Sequence, residues 1–479
     1  MVLEYVTLVL IPVVLAVTSI TSYIMGYGRK TIALLLAVYS FILAWMILLS
    51  FKVYMGFSTL ALKDEFTIDG MATFFALMNS LIFWCILLYS IPYMEHYVRK
   101  YNIPLARLST YYSLLTVTFL TLYLMSFTNN SFLMWVFVEA TTLATVILVG
   151  YGRYEASLEA AWKYILLCVI GLSTALYGTS LIYSYIYHLT RDAYAGLLFN
   201  RIGMHIQVIS RRVSVLGLLF IVLGYGVKAG LMPFHFWLPD AYSEAPSPIS
   251  AMLSSVVTGC GFYAIMRWFS IVPIRLLEPL KPILIALGLG SIFLGSFSII
   301  KQIDLKRILA YSSIENMGIM LLGAAYPRVG FLFGLLHLFA HSIIKASNFL
   351  TVGILEFRYG KRSGITGVMA ENSFLGTLTL TSVLSLEGMP PSITFLSLIG
   401  VAFAIRNLSV LILYIIGVLV GFIALIHIFI KTSWGKPSKH IASGKIPRLL
   451  IVATLILLIV AFITGIFVKP LIKLLGGVM

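Results

Sequence analysis

Apolar runs of about twenty residues recur along the whole chain, separated by short stretches rich in charged residues, glycine and proline. Twenty helical residues rise about 30 Å, the thickness of a bilayer's hydrocarbon core. Reading each run against its punctuation predicts fourteen helices, near 3–25, 31–51, 70–94, 107–127, 131–151, 160–187, 212–240, 248–270, 281–301, 304–325, 329–357, 373–404, 406–431 and 447–474. The expected fold is an all-α integral membrane protein with fourteen transmembrane helices and no intervening soluble domain; the longest polar loop falls near Thr190–Arg212. The first run has neither a basic start nor a clear small-residue cleavage site, so it is expected to stay as a span and not to act as a signal peptide.

Two runs are interrupted. The seventh carries Gly230, Pro233 and Pro239, and the twelfth carries Gly388, Pro390 and Pro391. Each break sits fourth in a block of five spans, and an odd number of spans inverts the second block relative to the first. The pattern predicts two inverted five-helix repeats, 107–270 (helices 4–8) and 271–435 (helices 9–13), preceded by helices 1–3 in 1–106 and followed by helix 14 in 436–479. Paired broken helices in inverted repeats point to an ion or substrate site near the midplane. Taken singly, each break also reads as a simple packing kink.

Composition agrees with the pattern. Of 479 residues, 60% are hydrophobic and 10% charged, where a soluble domain carries roughly 25% charged residues. A net charge of +16 invites a nucleic-acid reading, but the Lys and Arg residues lie in short loops between spans, where anionic lipid and membrane topology explain them. Nucleic-acid binding is not expected. Loops after the odd-numbered helices hold 17 Lys or Arg and those on the other side 13, which puts the first side in the cytoplasm and both termini outside. Cys85, Cys168 and Cys260 all fall inside apolar runs without metal-ligand spacing. No iron–sulfur cysteine cluster, haem attachment motif or nucleotide loop is present, so no cofactor is expected and redox chemistry must belong to partners.

The candidate chemistry is ionisable side chains inside the spans. A charge at mid-bilayer costs about 2.5–3.5 kcal/mol on insertion scales, so it needs a partner or a water path. Five such residues survive the span assignment: Glu139 in FVEATTLATV, Lys163 in EAAWKYILL, Lys228 just before the seventh-helix break, Lys345 in LLHLFAHSIIKASNFL, and Glu387 beside the twelfth-helix break. Lys163 has an equally good structural reading, because Glu155, Glu159 and Lys163 are spaced four apart and form a pairing ladder at the membrane edge. Glu139 and Lys228 have no easy route to the interface. If they pair, each stabilises the other's charge and the two titrate as a unit. Coulomb energy between unit charges about 4 Å apart is about 4 kcal/mol at an effective dielectric near 20, enough to move a pKa by several units. On the eleventh helix His337, His341 and Lys345 recur every four residues, with Asn348 continuing the face, as in a proton wire. His235, just after the seventh-helix break, extends such a path, whereas His427 is isolated and reads as structural.

Several stretches together resemble the antiporter-like, proton-translocating membrane subunits of respiratory complex I, Mrp-type cation/proton antiporters and membrane-bound, hydrogenase-4-like hydrogenases. They are KAGLMPFHFWLPDAYSEAPSPISAML (Lys228–Leu253), DLKRILAYSSIENMG (Asp304–Gly318) and HLFAHSIIKASNFL (His337–Leu350), with weaker echoes in TIDGMATFF near Asp69 and GMPPSITF near Pro390. The resemblance covers essentially the whole chain, and SEAPSPISAMLS and LKRILAYSSIENMG read closer to the hydrogenase branch. It implies that Glu139 tunes Lys228, the central lysine of a first half-channel, with Lys163 near the same glutamate, and that Lys345 serves the second half. It also implies a multi-pass protein of a prokaryotic plasma membrane, with other membrane subunits of a redox or antiporter complex, lipid, and protons or Na⁺ as partners. No counterpart of the long lateral helix of the largest complex I subunit is expected. The chain departs from the family where many relatives carry a histidine or lysine on helix 8, since Ser254 and Gly259 match those positions. It departs again where relatives carry a charge after the helix 12 break, since Leu398 stands there and Glu387 is the nearest substitute. The leading expectation is a proton-translocating subunit of a hydrogenase or ferredoxin-linked reductase complex, with Na⁺ coupling as the other option. A partly degenerate spacer and a stand-alone antiporter are its rivals.

Overall fold

In the computed structural model of the protein, which describes residues 2–438 and 445–475, sixteen principal helices follow one another along the chain. They are α1 (Val2–Ile24), α2 (Arg29–Tyr54), α3 (Gly70–Lys100), α4 (Arg107–Phe127), α5 (Ser131–Val149), α6 (Glu155–Thr190), α7 (Arg211–Ala229), α8 (Trp237–Glu244), α9 (Ser247–Ile271), α10 (Lys281–Ile299), α11 (Leu305–Ala324), α12 (Val329–Tyr359), α13 (Ser373–Leu386), α14 (Ile393–Ala404), α15 (Leu408–Trp434) and α16 (Arg448–Ile466). Among the described residues, twelve helices are long and apolar enough to cross a membrane. α11 spans 20 residues but falls outside that set, because Lys306, Arg307, Glu315 and Asn316 interrupt its apolar side chains.

Both predicted interruptions are real breaks. The seventh run divides into α7 and α8, and the twelfth into α13 and α14. Gly230 (φ 78°) and Gly388 (φ 82°) close α7 and α13 in the left-handed conformation that glycine adopts without a Cβ penalty. One X–Pro bond in each break, Met232–Pro233 and Pro390–Pro391, is cis. Two details differ from the expectation of uninterrupted helices and plain loops. A small antiparallel hairpin pairs Thr59–Ala61 with Phe66–Ile68, and the polar loop near Thr190 holds short helices at Ala193–Leu197 and Phe199–His205. Asp192 caps the first of these by accepting from the Tyr194 N–H. The expected outer placement of the two termini concerns residues 1 and 476–479, which lie outside the described residues.

Lipid is as apolar as leucine, so burial of apolar area does little to hold spans together, and close approach at small residues does more. On α6 the buried residues Tyr164, Cys168, Gly171, Ala175 and Gly178 recur every three or four positions and face α7. A Cβ at Gly178 would lie 2.5 Å from the Gly217 carbonyl, and one at Gly224 would overlap Ala175. That apposition brings Tyr164 of α6 to Lys228 of α7. The innermost helices are α3, α9 and α12, while α1, α2, α15 and α16 turn side chains such as Ile24, Leu48, Ile423 and Ile463 outwards.

Two cations that the sequence pattern assigns to loops are buried. Lys306 Nζ lies 3.1 Å from Glu356 Oε2 and donates to the Ala245 carbonyl at 3.0 Å, and Glu356 also accepts from Tyr93 OH and Ser247 Oγ at 3.3 Å each. Arg267 pairs with Asp69, the N-cap residue of α3, at 2.6 Å. Removing one partner of a buried pair leaves an uncompensated charge, so Glu356→Gln is expected to cost about 3–5 kcal/mol. Thermal unfolding of the purified protein in detergent measures this, and an unchanged midpoint would contradict it.

Candidate functional site

Lys228 is fully buried in the last turn of α7, two residues before the glycine that ends it. Its ammonium donates to Thr142 Oγ1 on α5 and to Tyr164 OH on α6, both at 2.8 Å, and lies 5.1 Å from the centre of the Tyr164 ring. Tyr164 OH is in turn 2.7 Å from Thr145 Oγ1, which donates to the Thr141 carbonyl at 2.6 Å. The donors therefore run in one direction, from the lysine through tyrosine and threonine to a backbone carbonyl, and bonds aligned this way reinforce one another. The Tyr164 ring packs on Trp237 of α8 at 4.8 Å, and the Trp237 indole donates to the Val227 carbonyl, so the segment after the break locks the lysine's own turn.

Glu139 sits on α5 one turn before Thr142, half-buried, with Oε2 making no hydrogen bond. It lies within electrostatic reach of Lys228, but among the described residues no ion pair within 4.0 Å joins them, so the conditional pairing read from sequence is not made in this conformation. Neutral oxygens hold the ammonium instead. Lys163 lies apart from this group: its side chain is 43% exposed and pairs with Glu159 at 2.7 Å and Asp240 at 3.0 Å. The i, i+4 contact with Glu159 is one rung of the ladder read from the sequence, and Asp240 also binds Arg307 of α11 at 3.2 Å. His235, in the break between α7 and α8, is buried against Phe236 with Nδ1 unpartnered, and among the described residues no hydrogen bond joins it to Lys228, whose ammonium goes to Thr142 and Tyr164.

In α9 the stretch Leu253–Val257 is wound as a π-turn. Such turns loosen the regular backbone ladder and are frequent at functional sites. The Leu253 carbonyl accepts from Tyr242 OH and Thr258 Oγ1, both at 3.1 Å, and the Ser255 carbonyl accepts from Ser342 Oγ of α12 at 3.0 Å. Ser254 lies in this stretch and Gly259 just after it, so hydroxyls and backbone carbonyls, not a cation, stand at the two positions singled out in the sequence.

His337, His341, Lys345 and Asn348 all lie buried along α12. His337 is held by Ser397 Oγ at 2.9 Å and Asn316 Oδ1 at 3.0 Å. His341 faces the Ser254 backbone, and no side chain hydrogen-bonds to either ring nitrogen among the described residues. Lys345 donates to the Leu309 carbonyl at 2.7 Å and to Ser312 Oγ, both on α11. Asn348 donates to the Ser382 carbonyl at 3.1 Å, tying the row to α13 just ahead of the second break. Glu387 caps α13 and lies within electrostatic reach of Lys345. Leu398 packs beside the same break: a Cβ at Gly388 would lie 2.8 Å from its Cδ1.

One acid was not singled out in the sequence. Glu315 on α11, inside LKRILAYSSIENMG, is 2% exposed, its Oε2 has no hydrogen bond, and it too acts electrostatically on Lys345. The signal was available, since Glu315 lies mid-run in the tenth predicted span just as Glu139 lies mid-run in the fifth.

The model of the family described as "NADH:quinone oxidoreductase/Mrp antiporter, TM" matches residues 128–424, which hold every residue of the arrangement above. A hydrogenase-4 component F homolog from Methylacidiphilum infernorum is 33% identical over 406 residues, covering 81% of this chain and 84% of that protein. The fold is that of a chain in the membrane-bound sulfane sulfur reductase, an archaeal respiratory membrane complex (TM-score 0.87, 23% identity, 100% of this chain and 97% of that one). A chain of the Mrp complex from a Dietzia species matches as well (TM-score 0.87, 19% identity, 100% and 97%). A family model spanning more than half of the chain, with a relative one-third identical over most of both lengths, identifies this protein as a member of the NADH:quinone oxidoreductase/Mrp antiporter transmembrane family, the antiporter-like membrane subunits of complex I-related assemblies.

Proposed function

We propose that this chain translocates protons as one subunit of a redox-driven membrane complex of the hydrogenase or ferredoxin-linked reductase type. The observation that carries the reading is the pair of fully buried lysines, Lys228 and Lys345, each held only by neutral oxygens and each with an acid in electrostatic reach. A lysine kept for stability alone would be matched by a carboxylate at contact distance, as Lys306 is. In this mechanism, protonation of Glu139 weakens its hold on Lys228, whose proton then becomes free to move. The altered charge biases Lys345 through the hydroxyls and carbonyls of α9. Glu387, next to Leu398, takes the part of the missing outlet charge. Counting α11 and the split pair α13–α14 with the twelve long apolar helices gives fourteen crossings, and two inverted five-helix blocks account for the matched breaks at Gly230 and Gly388.

Charge removal at Glu139 and Lys228, assayed as proton uptake by membrane vesicles carrying the assembled complex, tests the proposal. Loss of uptake with intact assembly supports it. Unchanged uptake supports the spacer reading, which Ser254, Gly259 and Leu398 favour. Glu387→Gln is expected to remove most of the uptake while leaving subunit abundance unchanged, and full retention would refute the outlet role. Co-purification in mild detergent separates a subunit of a larger complex from an antiporter acting alone.

A further inference from the structure

We propose that Glu315 is a second-half proton-binding site, taking over, together with Glu387, the position that Leu398 leaves uncharged. The inference rests on the translocation reading above and adds a residue to it. Glu315 projects from α11 towards α10 and α15, and both neighbours present a glycine to it. A Cβ at Gly295 would lie 2.7 Å from the Glu315 amide nitrogen and 2.9 Å from its Cβ, and a Cβ at Gly421 would overlap the carboxylate itself. The space is therefore shaped around an acid. Yet no Lys or Arg pairs with the acid within 4.0 Å among the described residues; Ser296 of α10 is the hydroxyl that reaches the carboxylate, and Oε2 has no hydrogen bond although the residue is 2% exposed. A buried carboxylate serving stability alone is ordinarily paired and hydrogen-bonded, and an unsatisfied one inside a membrane is a functional signal.

Its surroundings identify the function. Ser312, which accepts from the Lys345 ammonium, is one turn earlier on α11. Tyr414 of α15 lies within electrostatic reach of Glu315 and donates to the Leu398 carbonyl at 3.0 Å, while the Leu398 side chain packs at Gly388, next to Glu387. Lys345, Glu315 and Glu387 thus converge on one region between α11, α12 and the second break. A proton leaving the Lys345 ammonium and taken up by the Glu315 carboxylate yields a neutral amine and a neutral acid. The step conserves the net charge of the region and needs no counter-ion. Glu315 also occupies the second helix of the second five-helix block, as Glu139 occupies the second helix of the first.

The test compares Glu315→Gln and Glu315→Asp in the assembled complex, with Lys228→Met as a reference. The expected result is loss of most proton uptake in Glu315→Gln at wild-type subunit abundance, with substantial recovery in Glu315→Asp. A carboxylic-acid C=O band in the infrared difference spectrum is expected to vanish in the first variant and shift in the second. Full uptake in Glu315→Gln, with uptake lost in Lys228→Met, overturns the Glu315 site alone. Full uptake in both overturns the underlying translocation reading. If Glu315→Gln does not accumulate, the band in Glu315→Asp decides: a shifted band supports the site and an unmoved one overturns it.

Discussion

Lys228→Met will abolish proton uptake by membrane vesicles while leaving the complex assembled, with a fall of at least about 10²-fold, the lower range for losing a positioned proton-transfer group. Methionine matches the length of the aliphatic stem and removes the buried charge. Replacing a buried ion by an apolar side chain of similar volume is often neutral or stabilising. The groups left behind are few: Thr142 Oγ1 and Tyr164 OH each lose the lysine as donor, at about 1 kcal/mol apiece, while Tyr164 OH keeps its bond to Thr145. Stability and transport are thus expected to separate at this position. Glu356→Gln provides the contrast, because there the loss of stability comes first. Unchanged uptake in Lys228→Met, with normal subunit abundance, would contradict the translocation reading at its centre.

Lys345→Met is expected to have an effect of similar size for a different reason. Lys345 stands where the row of α12 meets the two acids of the second half, and its ammonium satisfies the Leu309 carbonyl and the Ser312 hydroxyl. Without it, charge arriving from Lys228 meets His341, which has no side-chain hydrogen-bond partner among the described residues, and no amine beyond it. If the two lysines act in one relay, the double variant Lys228→Met/Lys345→Met will be no worse than either single one, because groups that work as a unit are far from additive. Two independent half-channels predict instead that each single variant keeps a share of the uptake and that only the double variant loses it all. Uptake measured in the three variants at matched subunit abundance separates these outcomes.

Much of this protein is legible in one dimension. Helix length follows from bilayer thickness and helix rise, and the breaks follow from glycine and proline, whose effect on the backbone is local. The buried amines and acids stand out because an apolar run tolerates few charges. Glu139, Lys228 and Lys345 needed only that reasoning, and Glu315 yields to it too. Three-dimensional contacts decided which charges are matched. Lys306 and Arg267 sit at the ends of apolar runs, where the chain pattern reads them as loop cations, yet packing buries them against Glu356 and Asp69, 50 and 198 residues away in the chain. Lys163 lies inside a run but reaches the edge, because α6 turns that face outwards towards Asp240. Lys228 meets neutral oxygens and not the Glu139 carboxylate, since the glycine-lined crossing of α6 and α7 brings Tyr164 to it. A charge inside a span is a local property of the chain, whereas its partner is set by which distant helices come close enough to touch it.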